Sequence, residues 1–334
     1  MVDRIRIGII GAGGIVQWAH LPSLKLLRDR VDVRVVFSRS IERAKEVAMR
    51  FSIPEATDDW RSTVSRGDLD ALLIATPNYT HKTIAVESVR AGKHVFLEKP
   101  VALSIGDGLE IVREAEKAGV NLMVGHCLRF WPEYVRVRES ILSNAIGEPR
   151  VARAYRLSSF PRWAPWHRYR ELSGGVVVDL MIHDLDFLRW ILGEVEEVFG
   201  YMVRFTEASI DNTDHAVAIL RFRDGAIAYV EASWAFPSNF PFTTYLEIAG
   251  TKGLLTVDNR STATVEVFME SVQNVLAPVD KGAYFSELKA FIDWIQYGVK
   301  PPIEPMDAVE ALRIAVAVHR SSEMGAPIKV SEVM

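Results

Sequence analysis

The residues best placed by type and spacing to do chemistry are two glycines, a lysine and an aspartate–histidine pair. Gly11 and Gly13 lie in Gly11-Ala12-Gly13-Gly14-Ile15-Val16, directly after an apolar run over residues 5–10. Gly11 permits a sharp turn, and Gly13 lets the backbone come close to a pyrophosphate. The amides of Gly14 and Ile15, at the start of a following helix, supply donors and a partial positive charge. The third position of the G-x-G-x-x-G/A pattern is Val16, a mild departure because that position serves helix-to-strand packing. A glycine-rich turn alone is a weak signal. It is sharpened by the preceding strand and by a second apolar run, 31–37, at the distance a βαβ unit needs.

Lys99 stands between Glu98 and Pro100, just past the apolar stretch 94–97. From the carboxyl end of a strand its ammonium can project toward a bound nicotinamide, although a lysine there is also commonly a solvated charge. Asp179 and His183 are four residues apart, in a stretch whose apolar residues Ile182, Leu185, Leu188 and Ile191 have helical spacing. The pair therefore shares a helix face. A histidine there can be a structural group or a base that titrates near neutrality. No metal site is expected: His183, Asp184 and Asp186, at i, i+1 and i+3, do not all face one way.

After the second strand come Ser38-Arg39-Ser40, then Arg43 one helical turn on. NAD-selective sites carry an acidic residue here for the ribose hydroxyls, whereas NADP sites carry small polar and basic groups for the 2'-phosphate. This segment lacks such a carboxylate, so NADP is the expected cofactor, with NAD bound without an acidic anchor as the alternative.

The elements that must position these groups follow a βα rhythm. A helix is expected over 15–28, broken or kinked at Pro22. Further helices are expected over 42–50, over 84–91 closed by Gly92, and over 106–118 closed by Gly119; strands are expected over 33–37, 70–75, 94–97 and 121–124. Such alternation argues for a parallel sheet. Pro77 in Thr76-Pro77-Asn78-Tyr79-Thr80-His81 forces an extended loop at a strand's carboxyl end, where ligands sit in such sheets. From residue 200 on the pattern becomes short alternating strands, 216–222, 227–233 and 245–249, with Asp224-Gly225 a strong hairpin turn. Helices over 285–296 and 306–321 and a short strand at 328–330 follow.

The chain has 334 residues, enough for two domains. Hydrophobic residues make up 49% and charged residues 25%, as in ordinary globular proteins. A net charge of -4 and a pI near 6.1 disfavour a polyanionic partner such as nucleic acid. The aromatic, basic stretch 160–170 is too isolated to change that. The single cysteine, Cys127, excludes an intrachain disulfide and fits a reducing compartment. With no signal peptide and no apolar run long enough for a membrane span, a cytoplasmic location is expected.

The glycine turn, Ala75-Thr76-Pro77-Asn78, Glu98-Lys99-Pro100 and the stretch from Gly174-Gly175 to His183 together make the whole chain resemble the glucose-fructose oxidoreductase, inositol dehydrogenase and rhizopine-catabolism (Gfo/Idh/MocA) family. The resemblance implies a Rossmann-type doubly wound parallel sheet at 1–125. At 126–334 it implies an α+β substrate and oligomerisation domain with a large, mainly antiparallel open sheet, its C-terminal helices free to pack back on the first domain. It implies cofactor contacts from Gly11, Gly13, Gly14, Ile15, Ser38, Arg39, Ser40, Arg43, Thr76, Pro77, Asn78, His81, Glu98, Lys99 and Trp166. Catalysis would fall to Lys99, Asp179 and His183, and substrate binding to these three with Arg129. Trp166 as a core or dimer-contact residue and Arg129 as a salt-bridge residue stay open.

The implied activity is hydride transfer between NAD(P) and a secondary alcohol or carbonyl of a sugar, cyclic polyol or derivative. His183 would act as base, Asp179 would orient it or share in the relay, and Lys99 would stabilise the reacting oxygen. The rivals are a retained-cofactor glycosidase or ping-pong oxidoreductase, a nonenzymatic NADP sensor, and a sugar-nucleotide enzyme using Arg162, Arg168 and Arg170. A homodimer or tetramer through the C-terminal sheet is expected.

Overall fold

The computed structural model describes residues 4–206, 211–261, 264–269, 272–276 and 282–334. The chain opens with strands and helices in alternation: β1 (Ile5–Ile10), α1 (Leu21–Leu26), β2 (Val31–Phe37), α2 (Ile41–Phe51), β3 (Glu55–Thr57), α3 (Trp60–Ser65), β4 (Ala71–Ile74), α4 (His81–Arg90), β5 (His94–Glu98), α5 (Ile105–Ala118) and β6 (Leu122–Gly125). The six strands are parallel in the order β3-β2-β1-β4-β5-β6, the expected doubly wound sheet. Helices cover both faces, so β4 is buried at every residue and reads as an unbroken apolar run. Strand order reverses beside β1, which opens a crevice between the carboxyl ends of β1 and β4.

Two local features differ from the sequence expectation. Pro22 does not break the helix. The helical run continues through it, but residues Val16–His20 form a π-helical turn in which the Leu21 amide reaches back to the Val16 carbonyl, so the ladder is widened just before the position where Pro22 lacks its N–H. The short β3 and α3 were not anticipated. β3 is a three-residue edge strand without buried residues, and such an element carries no hydrophobic period to read.

The remainder contains α6 (Pro132–Leu142), β7 (Pro149–Ser159), α7 (Arg170–Ser173), α8 (Ile182–Leu192), β8 (Val195–Val203), β9 (His215–Phe222), β10 (Ile227–Phe236), β11 (Thr243–Gly250), β12 (Gly253–Asp258), β13 (Val265–Met269), β14 (Val272–Leu276), α9 (Ala283–Tyr297), α10 (Pro305–Met324) and β15 (Ile328–Lys329). Nine strands form one sheet, β14-β13-β12-β11-β7-β10-β9-β8-β15. The pairing is antiparallel except between β7 and β10. The hairpin at Asp224-Gly225 forms as expected, with Gly225 at φ 86°. One face carries small buried residues such as Ala152, Ala154, Ala218 and Ala228; the other carries exposed Phe199, Tyr201, Ile219 and Ile227. Period-two alternation of this kind produces one dry and one wet face.

The chain divides into two compact units, Met1–Phe130 with Lys281–Val309, and Trp131–Asp280 with Glu310–Met334. α9 belongs to the first. Its Phe291 meets Phe96 of β5 edge-on with ring centroids 5.8 Å apart, and Arg30 pairs with its Asp293 at 2.8 Å. Fully burying a ring such as Phe291 contributes roughly 1.5–3 kcal/mol.

Candidate active site

The glycine turn has the geometry a dinucleotide requires. Gly11 sits at φ 124°, and a Cβ there would lie 2.3 Å from the Ala75 carbonyl oxygen of the neighbouring loop. Around Gly13, by contrast, an added Cβ would meet no atom within 4 Å. Backbone at Gly13 thus borders open space at the helix start, a cradle that a side chain would fill and a pyrophosphate fits. Val16 is fully buried, so the missing small residue is absorbed by packing away from the cradle.

Around the turn lie the groups expected to read the adenosine ribose. Ser40 caps α2, its Oγ accepting the Arg43 amide at 3.2 Å and donating to Glu42 at 2.8 Å. Arg43 Nε donates to the Ala12 carbonyl at 3.1 Å, which lays the guanidinium stem over the glycine turn. Arg39 is exposed, and Ser38 is half-buried beside it.

At the carboxyl end of β5 stand Glu98, Lys99 and Pro100. Glu98 is only 8% exposed; its Oε1 lies 2.7 Å from Nε2 of the fully buried His20, and its Oε2 accepts the Lys99 amide at 3.1 Å. Burial pushes the Glu98 carboxyl up, but the His20 hydrogen bond and the charges of Lys99 and His81 outweigh it and hold it below the usual carboxylate range. His81, also fully buried, has Nδ1 at 2.7 Å from the Pro100 carbonyl and Nε2 at 2.9 Å from the Thr76 carbonyl. Burial pulls its pKa below the ordinary histidine value against those two acceptors. His81 therefore fastens the loop after β4, with Thr76 and Pro77 half-buried and Asn78 buried, to the loop after β5.

In the second unit, Asp179 and His183 are both half-buried. Asp179 lies in a π-helical turn, Val177–Met181, that runs into α8, where His183 stands in the first turn. A pair of glycines makes the approach: Gly174 at φ 80° and Gly175 at φ 76° leave no room for a Cβ, which would fall 2.5 Å from Val178 Cβ and 2.6 Å from Asn212 Oδ1 respectively. Ser173 Oγ accepts the Gly175 amide at 3.0 Å, and Asn212 Nδ2 donates to the same Oγ at 3.1 Å and to the His167 carbonyl at 3.0 Å. His167 Nε2 is 3.4 Å from Asp179 Oδ2, and Trp166 stacks on the His167 ring with centroids 3.7 Å apart. Beneath α8, Arg156 makes a bidentate pair with Asp184, both bonds 2.9 Å and both residues buried.

Burial bears on two of the expected contacts. Arg129 is 2% exposed, and its Nη1 donates at 2.9 Å to both the Pro302 carbonyl and Asp307, so it ties segments of the first unit together. His81 presents no surface to a cofactor and acts on the loops instead. The sequence reading also left out His167, Asn212 and the partnership of His20 with Glu98, because partners 39 to 78 residues apart leave no local signal. Among the described residues no cluster of histidine, cysteine or carboxylate side chains could hold a metal ion, and no helix is long and apolar enough to cross a membrane.

A six-stranded parallel sheet with this glycine turn defines the class, a dinucleotide-binding Rossmann unit joined to a mainly antiparallel sheet unit. Residues 5–126 match the profile described as the oxidoreductase family with NAD-binding Rossmann fold, and residues 134–256 match the GFO/IDH/MocA C-terminal domain. Myo-inositol 2-dehydrogenase of Thermotoga maritima is 30% identical, the match spanning 99% of this chain and 100% of that protein. A 2,7-anhydro-N-acetylneuraminate hydratase of Escherichia coli is 28% identical over 90% of this chain and 82% of its own. Among solved structures, GenD2 from gentamicin A biosynthesis in complex with NAD is 27% identical, with a TM-score of 0.87 over 98% of this chain and 97% of the other. The chain belongs to the GFO/IDH/MocA family and is an NAD(P)-binding oxidoreductase.

Proposed function

We propose that this enzyme transfers a hydride between a nicotinamide and a secondary alcohol or carbonyl carbon of a cyclic polyol, sugar or derivative. The observation that carries the proposal is the open cradle at Gly13, on the same sheet edge as Lys99. The relatives' names, a myo-inositol dehydrogenase among them, support the substrate class. The nicotinamide supplies the hydride acceptor in oxidation and the donor in reduction. His183 takes the hydroxyl proton as hydride leaves, Asp179 orients the ring, and the Lys99 ammonium stabilises negative charge on the reacting oxygen.

NADP preference is part of the proposal, supported by Arg39 and the small polar residues after β2. Absorbance of the reduced cofactor, followed with a panel of inositols, sugars and sugar nucleotides, tests both points. Lys99→Ala and His183→Ala each lower kcat by about 10²- to 10⁴-fold if they act as assigned. Arg39→Ala lowers kcat/KM for NADP while sparing NAD. Wild-type rates in either catalytic variant, or an Arg39 effect equal for both cofactors, sink the respective assignment.

The hydratase relative favours one second reading, a cofactor retained through a reaction with no net redox change. A cofactor that copurifies and turns over substrate without lasting change in absorbance distinguishes it. The single buried cysteine supports a cytoplasmic enzyme, which cell fractionation tests. The exposed apolar face of the nine-stranded sheet supports a homo-oligomer.

A further inference from the structure

We propose that His20 and Glu98 form a positioning dyad for Lys99, with His81 as its second anchor. The proposal rests on the catalytic reading of Lys99 given above. Three contacts, two of them from distant places in the sequence, converge on Glu98, Lys99 and Pro100. His20, at the end of the π-helical turn that follows the phosphate cradle, binds Glu98 Oε1 at 2.7 Å. The other oxygen of the same carboxylate holds the Lys99 amide at 3.1 Å. On the far side, the single N–H of the neutral His81 ring is assigned to the shorter contact, Nδ1 to the Pro100 carbonyl at 2.7 Å, with the Thr76 carbonyl 2.9 Å from Nε2.

A purely structural reason for this arrangement is weak. A buried carboxylate loses hydration, and well-packed apolar residues in place of a buried polar pair are often neutral or stabilising. His20 is enclosed by rings, Phe96 at 5.5 Å and Tyr284 at 5.9 Å between centroids, and its Nδ1 has no partner among the described residues. An Nε2–H tautomer leaves only a lone pair unsatisfied there, while its proton points at Glu98. The ring is thus committed to one task, donating to the carboxylate. What the pair supplies that an apolar pair lacks is direction: an acceptor at a fixed place for the amide of the residue whose side chain must meet the reacting oxygen. Misplacing a catalytic group by about 1 Å can cost roughly 10²-fold in rate.

The double variant His20→Leu/Glu98→Met is the decisive protein, since it removes the dyad without leaving a buried unpaired charge. It is compared with His20→Gln, which keeps a donor toward Glu98, and with Lys99→Ala. Hydrogen–deuterium exchange of peptides spanning residues 95–101 and the melting temperature need no substrate. The polyol or sugar oxidised fastest by the wild type adds kcat and KM. The double variant is expected to melt near the wild type, yet exchange the Lys99 amide about tenfold faster and lose about 10- to 100-fold in kcat with little change in the KM for cofactor. His20→Gln recovers most of both losses.

A double variant with wild-type exchange at Lys99 overturns the proposal, as does one that retains kcat while Lys99→Ala loses it. If Lys99→Ala keeps its activity while the exchange result stands, the catalytic assignment of Lys99 fails and the positioning of its backbone does not.

Discussion

At the scale of the residue, the two glycines of the turn separate stability from binding. Gly11 lies at a φ of 124°, where a Cβ would collide with the Ala75 carbonyl at 2.3 Å, so Gly11→Ala forces the turn and the loop after β4 apart. The expected cost exceeds about 2 kcal/mol, from backbone strain and the clash together. Gly13→Ala meets nothing within 4 Å. It is expected to leave the melting temperature within about 2 °C of the wild type, because a surface change of this kind stays within about 0.5 kcal/mol. Its methyl group occupies the cradle, and the affinity for NADPH, read by fluorescence titration, falls by at least about tenfold. Equal affinity in Gly13→Ala and wild type refutes the placement of the pyrophosphate there. The pattern G-x-G was legible in the sequence, but the different roles of its two glycines follow only from what each one faces.

At the scale of the element, α10 steadies the approach to Asp179. His319 on this helix donates from Nε2 to the Gly174 carbonyl at 3.1 Å, in a position 5% exposed. Burial is the main reason its pKa is pulled down to about 4, with Arg170 adding to the shift; the Gly174 carbonyl and Glu323 oppose it. The unfolded chain therefore binds a proton at His319 below about pH 6.5, and the folded chain does so only near pH 4. Stability from this residue is complete above pH 6.5, declines as the pH falls through that window, and is gone below 4; the total is on the order of 3 kcal/mol. His319→Gln keeps a donor and removes the titration. Its urea-unfolding free energy should change less between pH 6.5 and 4.5 than that of the wild type, and identical slopes refute the assignment. The helices themselves were readable from apolar period and caps, as in α5, where Ser104 accepts the Asp107 amide and Gly119 takes the left-handed cap. The π-helical turns at Val16–His20 and Val177–Met181 were not, since widening by one residue per turn leaves the apolar pattern almost intact.

At the scale of the whole molecule, the outer face of the nine-stranded sheet bears the next test. Register places Phe199, Ile219 and Tyr229 side by side across β8, β9 and β10, with Tyr201 and Ile227 nearby. We propose this apolar, aromatic face as an association surface with a second copy of this chain as its occupant. Tyr201→Glu with Ile219→Glu is expected to shift the mass measured by light scattering toward that of a single chain; an unchanged mass means the contact lies elsewhere.

What the sequence by itself determined was what short-range pattern carries, namely the parallel sheet from strands alternating with helices, the dinucleotide turn and the Asp224-Gly225 hairpin, together with the nicotinamide oxidoreductase class that the resemblance in motifs of a few residues each implied. Tertiary structure alone decided the partnerships. Arg129 looked available in its aromatic loop and is bound to Asp307, 178 residues on; His81 looked like a ligand contact and clamps two loops; Glu98 is held by His20, 78 residues before it. A side chain's role depends on which polar groups surround it and whether water reaches it. Those are properties of chain segments brought together by folding, and no local pattern encodes them.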